Sequence, residues 1–140
     1  MTQVEKQLLL KDLCARLPYG ALVFIRKPFG CIMSETKEEE LAATTLQEFI
    51  ENDDMHVFPY LRPMTSMTEK EKKELKAATC PEGTGYFDEQ YLICPMSHFG
   101  EYIGYDFMSD ILDWLNAHHF DVRGLIEKGL AIDCTNLNIY

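Results

Sequence analysis

The spacing of hydrophobic residues predicts a helix at the start of the chain. Over residues 3–17, valine, leucine and cysteine recur three and four positions apart, with Lys6, Lys11 and Arg16 outside the main stripe. We predict an amphipathic helix that ends before Pro18. Cys14 falls within the leucine pattern, so we interpret it as a small core residue.

Short apolar runs bounded by turn residues predict strands in the next part of the chain. "ALVFI" at residues 21–25 is rich in β-forming residues and predicts a buried strand. "CIM" at residues 31–33 follows a glycine turn and predicts its return strand. "MHVF" at residues 55–58 predicts an edge strand that stops at Pro59, and the proline-flanked "PYLRPM" that follows is predicted to be irregular.

Two further helices are indicated in the middle of the chain. Helical spacing of apolar residues predicts a short helix over residues 45–51, with Thr44 or Thr45 as its cap. Thr68 followed three residues later by Glu71 matches a capping box, which predicts a mostly exposed helix of about three turns.

The last third of the chain predicts a strand at residues 90–94, a helix over 107–118 capped by Asp106, a turn at 122–127 and a strand at 130–134. The residues expected to face inward from this helix are Met108, Ile111, Leu112 and Leu115. Together these elements predict an α+β fold. It is a single small domain over residues 1–140, with an N-terminal helix, a small mostly antiparallel sheet and two further helices.

The chain holds no apolar run long enough to cross a bilayer, and its N-terminus mixes charged residues with leucines, unlike a secretory signal. We therefore expect no association with membranes. Its five cysteines form no C-x-x-C pair, which is typical of reduced thiols, so we expect a cytoplasmic protein.

Charge argues against nucleic acid as a ligand. The net charge is −10, and residues 77–122 hold eight acids and no lysine or arginine. Residues 35–54 hold eight more acids against Lys37 alone. Because affinity for nucleic acid depends mostly on cations that neutralise phosphates, we expect no such binding.

Three segments carry a resemblance to a known family. They are "LLLKDLCARLPYG" (8–20), "PYLRPMTSMTEKEKKEL" (59–75) and "DWLNAHHFDVRGLIEKGLAI" (113–132), about a third of the chain. They resemble small uncharacterised proteins that recur in gut Bacteroidales and their phages, which typically carry "KDLCARLPYG", "PYLRPMSSMTEEE" and "HHFDYRGLIEKGLA". This chain departs from the family pattern at its C-terminal "DCTNLNIY". The resemblance implies one cytoplasmic domain of bacterial or phage origin, and it implies no particular activity.

The adjacent histidines His118 and His119 have a structural explanation. His119 continues the row of Leu115 and is predicted to pack at the edge of the core, while His118 lies nearer the flank. A helix C-terminus favours positive side chains at both positions. Neighbouring residues on a helix diverge by about 100°, so the two rings are not expected to chelate one ion together.

A metal or thiol site is the alternative for these residues. The candidate zinc ligands are Cys80, Cys94, His98 and His118, with His119 as a substitute for His118. Their spacing matches no compact zinc knuckle. Cys94 with a histidine (His98 or His119) and Asp121 could form a thiol triad, but no catalytic motif accompanies them. We expect no cofactor, and an enzyme is the less favoured interpretation.

The segment "PYLRPM" has two interpretations. Its apolar residues fill the core while Arg62 pairs with an acid, or the segment anchors a protein partner, because Tyr, Met and Arg are enriched at interfaces. Arg123 is expected to pair with Asp121 and lock a turn. The candidate interaction residues are Tyr60, Leu61, Arg62, Met64, His118, His119 and Arg123.

These patterns favour a non-catalytic cytoplasmic accessory or interaction protein that acts through a protein partner, with homodimerisation as a further option. The alternative is a metal- or thiol-dependent enzyme centred on Cys94, His98 and His118.

Overall fold

The computed structural model describes residues 1–29, 33–79 and 105–140. The helices are α1 (Gln3–Arg16), α2 (Ala43–Glu51), α3 (Glu69–Thr79) and α4 (Tyr105–Ala117), and the strands are β1 (Leu22–Phe29), β2 (Met33–Glu40), β3 (His56–Leu61) and β4 (Ile132–Asp133). The strands form one sheet in the order β2-β1-β3-β4, antiparallel except for the parallel β3–β4 pair. The predicted α+β class, with an N-terminal helix and a small mostly antiparallel sheet, is confirmed. Within the described residues three further helices follow α1, where the fold prediction counted two.

Helix α1 begins with a capping box in which the Thr2 side chain and the Glu5 carboxylate each accept from the other residue's backbone N–H. Leu9 and Leu13 face the core. The prediction of a helix here is confirmed, whereas the core position of Cys14 is wrong because the cysteine is exposed. Cys14 is turned about 100° around the helix from Leu13, which carries its side chain away from the buried row.

The β1–β2 hairpin extends well beyond the predicted strands. Leu22 pairs with Glu40 and Phe29 with Met33, in unbroken antiparallel register. The return strand is the acidic segment from Met33 to Glu40, and of the predicted strand "CIM" only Met33 lies within the described residues. A strand made almost entirely of polar residues has no hydrophobic alternation, so periodicity could not reveal it.

Strand β3 corrects two predictions at once. It lies between β1 and β4 and is therefore no edge strand, and it continues through Pro59 to Leu61. Cys134 N donates to Leu61 O (2.9 Å), so Leu61 faces β4, and Pro59, two residues earlier, faces the same side. Pairing with β4 starts only at Tyr60. The missing N–H of Pro59 therefore costs no bond to β1.

Helices α2 and α4 begin earlier than predicted. Ala42, without a side-chain bond, precedes α2, and the Thr45 hydroxyl donates instead to Glu39 (3.0 Å), so the threonine cap is wrong. Because α4 starts at Tyr105, Asp106 lies inside its first turn and does not cap it.

The inward face of α4 is confirmed in part. Ile111 and Leu115 are buried, whereas Leu112 is 39% exposed, contrary to prediction. Leu112 is one residue from Ile111, which turns it about 100° out of the buried row. The Met108 side chain and the predicted strand at 90–94 lie outside the described structure. The predicted C-terminal strand is confirmed only over Ile132–Asp133.

Two hydrophobic clusters hold the domain together. The first lies between one face of the sheet and helices α1 and α2, and it includes Leu9, Leu13, Val23, Ile25, Phe49, Val57 and Leu61. The second comprises Leu75, Ile111, Leu115 and Phe120. Leu75 is a buried residue of α3.

The capping box predicted at the start of α3 is confirmed. Glu71 N donates to Thr68 Oγ1 (3.2 Å), and Thr68 N donates to the Glu71 carboxylate (2.8 Å).

Within the described parts of the chain, no helix is both long enough and apolar enough to cross a membrane.

Candidate functional site

Two segments singled out in the sequence meet in the structure. Arg62 N donates to His119 O (2.8 Å) and Asp121 N donates to Arg62 O (2.7 Å). These bonds form a parallel bridge between Arg62 and Phe120 just beyond the end of β3. The end of "PYLRPM" and the turn after α4 therefore form one site, which we call the 62–120 junction.

Arg62 is held rigidly at this junction. Its two terminal nitrogens contact both oxygens of Glu71 (2.6 and 3.1 Å), and its guanidinium lies 4.4 Å from the centre of the Phe120 ring. The bond from Arg62 is the main reason that the pKa of Glu71 falls to about 2. The expected pairing of Arg62 with an acid is confirmed.

The apolar residues of "PYLRPM" take positions that suit the core interpretation. Leu61 is fully buried in the first cluster, and Met64 packs half-buried against the second. Tyr60 is buried, and its hydroxyl donates to Glu38. Burial, followed by this bond, raises the pKa of Tyr60 to about 12.

His119 terminates α4 in a left-handed conformation, with φ of 59°. His119 N donates to Asn116 O (3.1 Å) and Phe120 N to Leu115 O (2.9 Å), which is the bond pair of a Schellman motif. Glycine is the usual residue at this position, because a side chain there is strained by roughly 1–3 kcal/mol.

The His119 ring is buried, as predicted, but it does not carry the expected positive charge. Only 8% of the residue is exposed, and the ring stacks on Tyr140 with centroids 3.7 Å apart. Burial, with Arg16 as the next cause, lowers the pKa of His119 to about 4. The ring is therefore neutral at pH 7, so favourable interaction with the helix dipole cannot explain a histidine here.

His118 serves the helix terminus, as predicted for it. Its ring stacks on Trp114 (3.7 Å between centroids), and Nδ1 lies 2.8 Å from the Trp114 carbonyl oxygen. Since a carbonyl only accepts, Nδ1 carries the proton when the ring is neutral. The lone pair of Nε2 then remains available to another group.

A buried ion pair supports the junction from α1. Asp12 and Arg16 are both 0% exposed, with Arg16 Nε 2.6 Å from Asp12 Oδ2. Arg16 Nη2 also donates to Phe120 O (2.7 Å), which ties α1 to the junction. Hydrophobic spacing gives no sign of Asp12 and puts Arg16 outside the main stripe. The i, i+4 spacing of Asp12 and Arg16, on the same helix face as Leu9 and Leu13, is the signal in the sequence that could have found the pair.

Arg123 pairs differently from the prediction. Its Nε lies 3.2 Å from Asp12 Oδ1, without the geometry of a hydrogen bond. Asp121 instead accepts from the backbone N–H groups of Leu125 (2.8 Å) and Ile126 (2.9 Å). The turn is locked by the carboxylate itself, and the predicted Arg123–Asp121 pair is wrong.

Buried polar atoms without a hydrogen-bond partner are concentrated where the ends of α1 and α4 meet the turn after α4, which we call the corner. Within the described ranges, the buried side-chain atoms without a hydrogen-bond partner are Arg16 Nη1, Asn116 Oδ1, His119 Nδ1 and Arg123 Nε. All four belong to the ends of α1 and α4 or the turn after α4. A buried polar group left without a partner costs about 1–3 kcal/mol, so this corner lowers stability.

Four partly buried apolar residues pack against the second cluster. We call them the Trp114 surface; they are Met64, Met67, Trp114 and Val122, with His118 stacked on the tryptophan. Asp110 and Asp113 lie exposed on the same helix. Aromatic residues and methionine are enriched at the centre of protein interfaces.

The described residues do not bring a set of metal ligands together. None of their His, Cys, Asp and Glu side chains form a group of three or more that could hold a metal ion. A cavity of about 290 Å³ is lined by Arg62, Ser66, Cys134 and Tyr140, among others, but burial raises the pKa of the Cys134 thiol and disfavours the thiolate. Cys80, Cys94 and His98 lie outside the described residues, so the zinc set and the Cys94 triad stay predictions.

No family model, curated protein or solved structure matches this chain.

Proposed function

We propose that this protein is a non-catalytic accessory protein that binds a protein partner through the Trp114 surface. The observation that carries the proposal is the half-buried, aromatic and methionine-rich patch directly beside the 62–120 junction. Residues of this type dominate binding energy where they can be fully desolvated by a partner.

The side chains at the Trp114 surface are held in place before any partner binds, which supports the proposal. Trp114 is held between His118, stacked at 3.7 Å, and Phe120, whose ring centre lies 6.1 Å away. Arg62, which Glu71 binds, also lies over the Phe120 ring. Side chains fixed before binding lose little conformational entropy on association, which leaves more of the contact energy as affinity.

The test compares two substitutions on one helix. Trp114→Ala removes the anchor, whereas Leu112→Ala removes an exposed apolar side chain that lies outside the Trp114 surface. We expect a partner cross-linked in the native host to be lost from Trp114→Ala and kept by Leu112→Ala, with both variants folded by circular dichroism. Equal recovery from both variants would reject the surface as the binding site.

A cytoplasmic location and a bacterial or phage origin belong to the same proposal. They are supported by the absence of any C-x-x-C pair and by the family resemblance of three segments. Fractionation of the native host tests the location, because recovery of the protein outside the cytoplasm would contradict it. Size-exclusion chromatography of the pure protein tests homodimerisation.

A metal- or thiol-dependent enzyme centred on Cys94, His98 and His118 remains the alternative proposal. The orientation of His118 favours it: Nδ1 bonds a backbone carbonyl and leaves Nε2 free, which is common for metal-binding histidines. Metal analysis of protein purified without chelator separates the two proposals. Stoichiometric zinc that is lost in both His118→Gln and Cys94→Ser would favour the enzyme.

A further inference from the structure

The outer edge of β2 presents backbone groups that β1 does not use. Leu41 N donates to Ala21 O (2.8 Å), and the register continues from this pair with Val23 opposite Glu39 and Ile25 opposite Lys37. In an antiparallel ladder, alternate residues direct their N–H and C=O groups to opposite sides. Lys37 and Glu39 therefore bond β1, while Thr36 and Glu38 direct their backbone groups outward.

In the part of the chain that the structure describes, this edge lacks the usual structural protection. Among the residues described, β2 pairs with β1 alone, over eight consecutive pairs without a bulge. It contains no proline, and the side chains of residues 35–38 are exposed. Natural edge strands are commonly shortened, bulged or interrupted by proline to prevent further pairing. In β2, the negative charge of the side chains is the feature that disfavours pairing with a further strand.

The charge of β2 selects its partner. Its four glutamates, Glu35, Glu38, Glu39 and Glu40, stand against one lysine, and that lysine pairs with Glu39. A second copy of the chain added at this edge would bring two such strands to about 4.8 Å, where like charges destabilise pairing. A cationic strand would satisfy the outward backbone groups and neutralise the carboxylates together.

We propose that the outer edge of β2 receives an extended, lysine- or arginine-rich segment of another protein as an added strand. Main-chain hydrogen bonds to Thr36 and Glu38 provide the binding, and the glutamates provide the selectivity. This site is two strands away from β3 and does not depend on the Trp114 surface.

Amide exchange in the wild-type protein is the first test. We use a synthetic peptide as long as β2, eight residues, that alternates lysine with valine or threonine. We expect the amides of Thr36 and Glu38 to exchange rapidly in the free protein and to slow at least tenfold with peptide. The Lys37 amide should be protected throughout, because it bonds β1. Protection of Thr36 and Glu38 without peptide would overturn the proposal.

A substitution pair isolates the main-chain contribution. Thr36→Pro removes an outward N–H and leaves the bonds to β1 in place, and Thr36→Val keeps that N–H. We expect Thr36→Pro to weaken peptide binding at least tenfold and Thr36→Val to change it less than twofold.

Charge and self-association complete the test. A peptide with glutamate in place of lysine should not bind, and binding of the lysine peptide should weaken as salt rises. Equal binding to the wild type and Thr36→Pro would show electrostatic attraction without strand addition. A dimer abolished by Thr36→Pro would identify a second copy as the occupant. Either result rejects the cationic segment.

Discussion

Protonation of His119 should make the protein lose stability in weak acid. The pKa of this histidine is about 4 in the folded protein, against 6.5 for an ordinary histidine. The unfolded chain therefore binds the proton more tightly than the fold does, and lowering the pH stabilises the unfolded state. The contribution is fully present above pH 6.5, declines as the pH falls and is lost by about pH 4.

The magnitude follows from the difference in pKa. Each unit corresponds to about 1.4 kcal/mol, so the free energy of unfolding should fall by about 3 kcal/mol across this window. Glu71 acts in a separate range: its pKa of about 2 places its loss below pH 4.5. His56, whose pKa is lowered by burial, acts in the same direction as His119 and must be controlled for.

Urea unfolding at half-unit steps from pH 7.5 to 4 measures the effect. His119→Asn is the informative variant, because asparagine tolerates the left-handed backbone and does not titrate. We expect His119→Asn to remove most of the decline and His56→Gln to remove a smaller part. If the decline in His119→Asn equals that of the wild type, His119 is not the buried neutral base described above.

Four other outcomes can be measured. Asp12→Ala should cost about 3–5 kcal/mol in urea unfolding, because it leaves Arg16 buried without its carboxylate partner, and a cost below about 1 kcal/mol would contradict the buried pair. Leu61→Ala should cost about 2–5 kcal/mol as a large-to-small change at a fully buried site, and a cost below 1 kcal/mol would contradict the packing. His118→Gln should change thermal stability by less than about 1 kcal/mol at neutral pH, and a larger loss would imply more than a terminal role. Fluorescence anisotropy with duplex DNA at physiological salt should show no binding, and a salt-sensitive complex at sub-micromolar protein would overturn the charge argument.

Local signals in the sequence were sufficient to predict that the helices exist. The leucine spacing of α1 and the Thr68–Glu71 capping box of α3 depend on residues within a few positions of each other, so one segment carries the whole signal. The predicted first residues of α2 and α4 were less accurate than the prediction that a helix exists there. Asp106 fits the sequence rule for a cap, but α4 begins before it.

The predictions of strands were wrong where tertiary pairing overrides the local preference of the sequence. β2 is held by its ladder to β1 and not by burial of its own side chains, so its sequence carries no alternation. Because proline removes a backbone donor, the sequence predicts that the strand ends at Pro59. The structure tolerates it because that donor would face the side of β3 on which pairing begins only at Tyr60.

The junction itself could be predicted only in its parts. Residues 62 and 119–121 meet through main-chain bonds, which leave no trace in side-chain pattern. The same holds for Arg16, whose bond to Phe120 O spans 104 positions. The composition of both segments marks them as candidates. The sequence predicts a pair between Arg123 and its neighbour Asp121, because the contact between Arg123 and the distant Asp12 leaves no local signal.

The energetics of the junction bear on why these residues occupy it. A histidine stands where glycine would relieve backbone strain, and four buried polar atoms of the described residues nearby lack a hydrogen-bond partner. A sequence selected only for stability would avoid both features, since each costs on the order of 1–3 kcal/mol. Locally unfavourable choices of this kind occur most often where a protein binds or reacts. The corner adjoins the Trp114 surface through Phe120, which Arg62 and Trp114 both contact. That adjacency, together with the composition of the surface, supports the proposed binding role.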